Sequence, residues 1–165
     1  MTDTNMIYLL IGLGLATAFV GGALLTFSDF IMRSLNASST AVATEAMQMI
    51  NRGVYRTIFM VLFIGLVPAS ILLSAYAYFT LDGAVRNYIY FASAFYIVGV
   101  FLVTGLGNVP MNTKLDNMPI GGAEAQSYWP DYLKGWTAFN HIRTAASLVS
   151  ATGFIQAAIQ VARAI

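Results

Sequence analysis

Polar and apolar residues alternate along this chain in long blocks, not with the short period of a soluble helix or strand. Four stretches contain no Asp, Glu, Lys or Arg: Thr4–Ser28, Thr57–Leu81, Asn87–Thr113 and Thr144–Ala162. At a rise of ~1.5 Å per residue, each is long enough to cross a hydrocarbon core of ~30 Å. The pattern predicts four transmembrane helices over approximately 6–28, 55–80, 87–107 and 140–162, with both termini on one side of the membrane. The fold class that follows is all-α: a single integral membrane four-helix bundle over residues 1–165, antiparallel and up-down, with a polar loop/helix cap at one end.

The segments between the blocks carry finer signals. Ser38-Ser39-Thr40 offers helix N-caps, and Ala41–Asn51 reads as a helix running into the second span, with Glu45, Arg52 and Arg56 on one face at i, i+7 and i+11. Pro68 should kink the second span, and Pro110 should break the end of the third, because proline lacks an N–H and disfavours helix at the preceding residue. Asp116–Asp131, with Pro119, Gly121-Gly122 and Pro130, reads as a loop, and Tyr128, Trp129 and Tyr132 read as interfacial anchors. The stretch Tyr132–Thr144, YLKGWTAFNHIRT, then places Trp136, Asn140 and Arg143 at i, i+4 and i+7. Their face continues through Ala146, Ser150, Gly153 and Ala157, a small-residue seam that wants a neighbouring helix, as do Gly14, Ala18 and Gly21/Gly22 in the first span.

Composition agrees with this picture and narrows it. The 165 residues are 58% hydrophobic and only 9% charged, with a mean hydropathy of +0.72. A net charge of +1 gives no electrostatic footprint for nucleic acid. The absence of cysteine removes disulfides, thiolate ligands and a thiol nucleophile. Met1–Met6 has no basic residue and the apolar run exceeds a signal peptide's core, so the first span is expected to remain in the mature protein.

Alternation of the spans puts residues 28–56 and 107–143 at one end of the bundle. That end holds six of the eight bases and five of the seven acids, so any site belongs there. The positive-inside rule places it in the cytoplasm and both termini outside, in what reads as a bacterial inner membrane. His141 is the only histidine and lies about 100° around the helix from the Trp136/Asn140/Arg143 face. No HxxxH, ExxH or cysteine pair completes a metal site, so neither metal nor cofactor is expected.

The blocks GWTAFNHIRT (135–144), GALLTFSDFIM (22–32), EAMQMINRGV (45–54) and NVPMNTKL (108–115) resemble, in order and over nearly the whole chain, the anthrone oxygenase-like family of small four-helix membrane proteins. Phe139 stands where a second tryptophan is expected in many relatives. The resemblance implies oxidation of a lipophilic anthrone- or quinol-like molecule by O₂ without a recognised flavin or metal. It marks Asn108, Pro110, Asn112, Trp136, Asn140, His141 and Arg143 as motif residues. In that chemistry His141 would be the base, Arg143 with Asn140 and Asn112 would hold an oxyanion, and Trp136 and Asn108 would help bind the substrate, with Arg52 a second source of positive charge. Two other readings stand beside it. In one, Arg143 pairs with Asp29 or Glu45 to lock helices together while the asparagines tie down the break at Pro110. In the other, the chain is a non-enzymatic membrane subunit that binds lipid or quinone, or stabilises a homo-oligomer or larger complex.

Overall fold

Every charge-free block becomes a helix, and three of the four helices extend beyond their block by about two turns or more. The computed structural model describes residues 3–164. Its helices are α1 (Asp3–Ala37), α2 (Thr40–Gly53), α3 (Ile58–Thr80), α4 (Gly83–Asp116) and α5 (Ala123–Arg163), all but α2 long and apolar enough to cross a membrane. The protein is an all-α bundle with four candidate spans and no strand among the described residues.

The four long helices form a closed ring in which α1 packs on α5, α5 on α4, α4 on α3 and α3 on α1. Every neighbour in that ring runs antiparallel. The seam on α5 makes the closest approaches. A Cβ on Gly99 would lie 2.5 Å from the Ala146 Cβ, and one on Gly21 would lie 2.9 Å from the Ser147 Cβ, so only glycine permits these helix–helix distances. Ser150 Oγ donates to the Ala92 carbonyl at 2.8 Å across the same interface. Outward-facing Phe19, Leu72, Phe79 and Leu106 remain exposed, the arrangement expected when lipid is the solvent.

At 41 residues α5 is ~60 Å long, twice the hydrocarbon thickness, whereas α3 has only 23 residues. Beyond the start of α3 the ring would lose one member. The amphipathic α2 takes that place, packing on α5 and on the end of α4. The resulting head has its own core, including Met32, Met47, Leu115, Trp129, Tyr132 and Trp136. Ser39 caps α2 by accepting from the Val42 N–H at 3.4 Å, as the run of hydroxyl residues predicts.

Several local expectations need correction. The segment read as a loop from Asp116 to Asp131 is a turn of only 117–122, after which α5 runs straight through Pro130. A proline in a helix interior costs ~3 kcal/mol. Burial of Trp129, Tyr132 and Trp136, at ~1.5–3 kcal/mol for each large side chain, outweighs it. Pro110 likewise does not break α4. Val109 is helical (φ −61°, ψ −46°), and the preceding residues Thr104–Asn108 form a π-helical stretch whose altered register absorbs the missing donor. At Pro68 the expectation is a bend, not a break, and α3 does continue as helix through it. The break lies elsewhere, between α2 and α3, where Thr57 is extended (φ −120°, ψ 157°) and its hydroxyl caps α3 by accepting from the Met60 N–H at 3.3 Å.

Candidate functional site

The break at Thr57 leaves a hole. Because α2 replaces α3 with an offset, the two do not fill the same line, and a cavity of about 470 Å³ remains inside the ring at the junction. Its walls are apolar and aromatic, Phe27, Phe59, Phe63 and Phe101 among them. Exposed Tyr55, Ile64, Gly105 and Val109 form its rim, so it opens between α3 and α4 on the apolar exterior.

Among the described residues one charged side chain lines this cavity, Arg143, which is only 5% exposed. Its Nη2 donates to Asn140 Oδ1 at 2.6 Å and its Nη1 to Thr104 Oγ1 at 3.3 Å. The guanidinium also sits 5.2 Å from the Trp136 ring centroid, within cation–π range. Nε is buried without a partner, so the five donors of the fork are not all used internally. Asn140 is fully buried and acts as the bracket for this arginine. Its Nδ2 donates to the Leu24 carbonyl at 2.7 Å and to Ser28 Oγ, both on α1, while its Oδ1 receives Arg143. Ser28 lies in the π-helical turn Phe27–Ile31 of α1.

A second network borders the first. Asn112 Oδ1 accepts from Tyr132 Oη and from Trp136 Nε1, each at 2.8 Å, and Asn51 Nδ2 donates to Tyr132 Oη at 3.4 Å. Trp129, Tyr132 and Trp136 stack in succession, with centroids 5.7 and 6.3 Å apart. The cavity is therefore an apolar box with polar groups converging at one end: a guanidinium, two amides, and an indole held in place by one of them.

An anthrone oxygenase family model matches residues 53–153, more than half of the chain. The chain belongs to the anthrone oxygenase family. No curated protein and no solved structure matches it. The matched region supplies α3, α4 and the cavity-lining part of α5, whereas the α1 wall and most of α2, which brings Met47 and Asn51 to the cavity, lie outside it.

Against this geometry the candidate residues of the family resemblance separate into groups. Asn112, Trp136 and Arg143 line the cavity together. Asn140 stands behind Arg143 and holds it. Asn108 is a tie between helices, its Nδ2 donating to the Trp136 carbonyl at 3.1 Å. Arg52 points away from the cavity, its side chain 48% exposed and paired with Asp116. His141 lines a separate groove on the outer side of α5, with Ser28, Arg33 and Lys134. The pairing of Arg143 with Asp29 or Glu45 does not occur: both acids are exposed, and Asn140 and Thr104 hold the guanidinium instead. Among the described residues, no group of three His, Cys, Asp or Glu is placed to hold a metal ion.

Sequence reasoning passed over Asn51, Gln48 and Thr104. On α2 the buried face is Ala43, Thr44, Met47, Gln48 and Asn51, not the Glu45/Arg52/Arg56 face. Gln48 Nε2 ties α2 to the turn after α4, donating to the Leu115 and Met118 carbonyls at 2.8 and 3.0 Å. The signal was present, since Thr44, Met47, Gln48 and Asn51 keep the spacing of an amphipathic helix.

Proposed function

We propose that this protein binds a lipophilic phenolic substrate, anthrone- or quinol-like, in the cavity beneath α2 and promotes its oxidation by O₂. The observation that carries this reading is a single guanidinium, without a carboxylate partner, facing an aromatic cavity of about 470 Å³ that opens on the apolar exterior. That volume falls within the ~300–1,000 Å³ common for small-molecule sites. A molecule dissolved in the bilayer would enter between α3 and α4 without crossing water.

The chemistry asks little of the protein. An anthrone in its enol form is a phenol, and loss of its proton gives an electron-rich oxyanion that passes one electron to O₂. The carbon radical and superoxide then combine to a hydroperoxide. Loss of water leaves a new carbonyl, so one oxygen atom ends in the quinone and the other in water. A hydroquinone would instead give up two electrons and two protons, yielding quinone and hydrogen peroxide. In both cases the controlling step is formation of the oxyanion, which Arg143 favours by charge and Asn112 by hydrogen bonding. Among the described residues no carboxylate or histidine lines the cavity, so in this reading His141 has no part as base and the proton leaves to water at the α2–α3 junction, where exposed Tyr55 and Thr57 line the cavity. Trp136 and the phenylalanines supply the ring-packing surface.

The base-rich end, which carries the cavity, faces the cytoplasm in this reading, with the membrane a bacterial inner membrane and both termini on the far side. The activity test is O₂ uptake by the purified protein with an anthrone and with a hydroquinone, comparing wild type with Arg143→Gln. A protein-dependent rate lost in the variant supports the proposal. Equal background rates would remove it and leave the cavity as a lipid or quinone site in a non-enzymatic subunit.

A further inference from the structure

A second concavity of about 400 Å³ lies on the opposite side of α5 from the cavity, between that helix and the end of α1. Arg33 comes to it from α1, Lys134 and His141 from α5. No acid lines it. Three other bases at this end are engaged within the protein: Arg52 pairs with Asp116, Arg143 is held by Asn140, and Lys114 lies 4.1 Å from the Tyr128 ring centroid, while the exposed Arg56 lies outside the groove. Arg33 and Lys134 have no carboxylate within salt-bridge distance among the described residues, although Asp29 and Asp131 lie nearby in sequence on the same two helices. Two uncompensated cations thus converge from two helices on one hollow. Thr137 also lines it, and its hydroxyl is buried without a partner.

Depth decides what such a hollow would hold. His141 stands three residues before the charge-free run that begins at Thr144, and Lys134 lies two helical turns further out, ~10 Å along the axis. Arg33 is five residues past the end of the first charge-free run, at Ser28. The groove therefore extends from the edge of the hydrocarbon into the head-group layer. Of its remaining lining residues Met32, Leu133 and Ala138 are apolar, and Ser28 and Asn36 are polar. Deeper than His141 the surfaces of both helices are apolar, with Leu25 on α1 and Leu148 on α5 exposed, so charge at the head-group level above hydrocarbon matches an anionic phospholipid, not a fully hydrated free anion.

We propose that the Arg33–Lys134–His141 groove is a binding site for the head-group phosphate of an anionic phospholipid, whose acyl chain lies along the outer seam of α1 and α5. This site is separate from the cavity and does not depend on the oxidation reading. It stays testable if the protein proves to have no catalytic activity.

The experiment is thermal unfolding of the full chain in detergent with added phosphatidylglycerol, phosphatidylcholine or inorganic phosphate. Phosphatidylglycerol is expected to raise Tm by several degrees, with the other two near baseline. The double variant Arg33→Gln/Lys134→Gln alters exposed side chains and should fold normally but bind the anionic lipid roughly 30-fold more weakly, at about 1 kcal/mol per base near an anionic surface. Arg56→Gln, an exposed base outside the groove, should leave the shift intact. Equal stabilisation by phosphatidylcholine, an unchanged shift in the double variant, or the same loss in Arg56→Gln would overturn the site. Inorganic phosphate matching phosphatidylglycerol would overturn the lipid assignment.

Discussion

Replacing Arg143 with glutamine tests the electrostatic core of the proposed function. Glutamine can still donate to Asn140 Oδ1, so the bracket on α5 has a way to persist while the one charge lining the cavity disappears. A phenolate oxygen at ~4 Å from the guanidinium gains about 4 kcal/mol at an effective dielectric constant of ~20. At 1.36 kcal/mol per unit, this lowers the ionisation point of a bound phenol by roughly 3 pH units relative to the variant. The sign follows from the charge: a cation favours the oxyanion, so wild type ionises its ligand at the lower pH. The assay is absorbance titration of a chromogenic phenol bound to each protein, paired with the pH profile of O₂ uptake. Wild type should reach its plateau roughly 3 units before Arg143→Gln, and Arg143→Lys should recover most of that displacement. Coincident ionisation curves for wild type and the glutamine variant, with binding intact in both, would refute the argument.

Asn140→Leu leaves Arg143 Nη2 without its acceptor and the Leu24 carbonyl and Ser28 Oγ without their donor. At about 1–3 kcal/mol for each buried group left unpaired, it should lower Tm as well as weaken ligand binding, and chemical denaturation would show a clear loss where Arg143→Gln shows less. Gly99→Ala places a Cβ 2.5 Å from the Ala146 Cβ and should cost ~1–3 kcal/mol by overpacking; Gly22→Ala, whose Cβ meets nothing within 4 Å, should be close to neutral in the same assay. Trp136→Phe keeps an aromatic ring but removes the donor to Asn112, and a loss of about 1 kcal/mol in stability is expected on unfolding. Because the chain has no cysteine, Asn117→Cys and Asp82→Cys report sidedness directly: in intact cells a membrane-impermeant maleimide should label the second and not the first, and the reverse pattern would invert the proposed orientation.

What could be read beforehand follows the physics of the two environments. Within the bilayer the cost of charge is so high that its absence alone marks a span, and the glycine and alanine seam on α5 needs only helical spacing to be seen. In the head that rule lapses, because water accepts charge and polar residues are no longer informative by their presence. Pro130 and the Gly121-Gly122 pair therefore suggested a loop, although Ala125, Trp129, Tyr132, Trp136, Asn140 and Arg143 already repeat every three or four residues as one buried stripe. On α2 the eye goes to charges, whereas the inward face carries uncharged Gln48 and Asn51, which tolerate burial when hydrogen-bonded. The same arithmetic bears on the base assigned through the family resemblance. His141 and Arg143 are two residues apart, ~200° around a helix, and no unbroken α-helix can turn both into one cavity. The structure gives each its own concavity, with Asn140 between them touching Ser28, which lines the outer groove, and Arg143, which lines the inner cavity. A short motif that reads as one catalytic cluster is thus a wall seen from both sides, and the Asn140 side chain is a hydrogen-bonded link between the outer groove and the inner cavity.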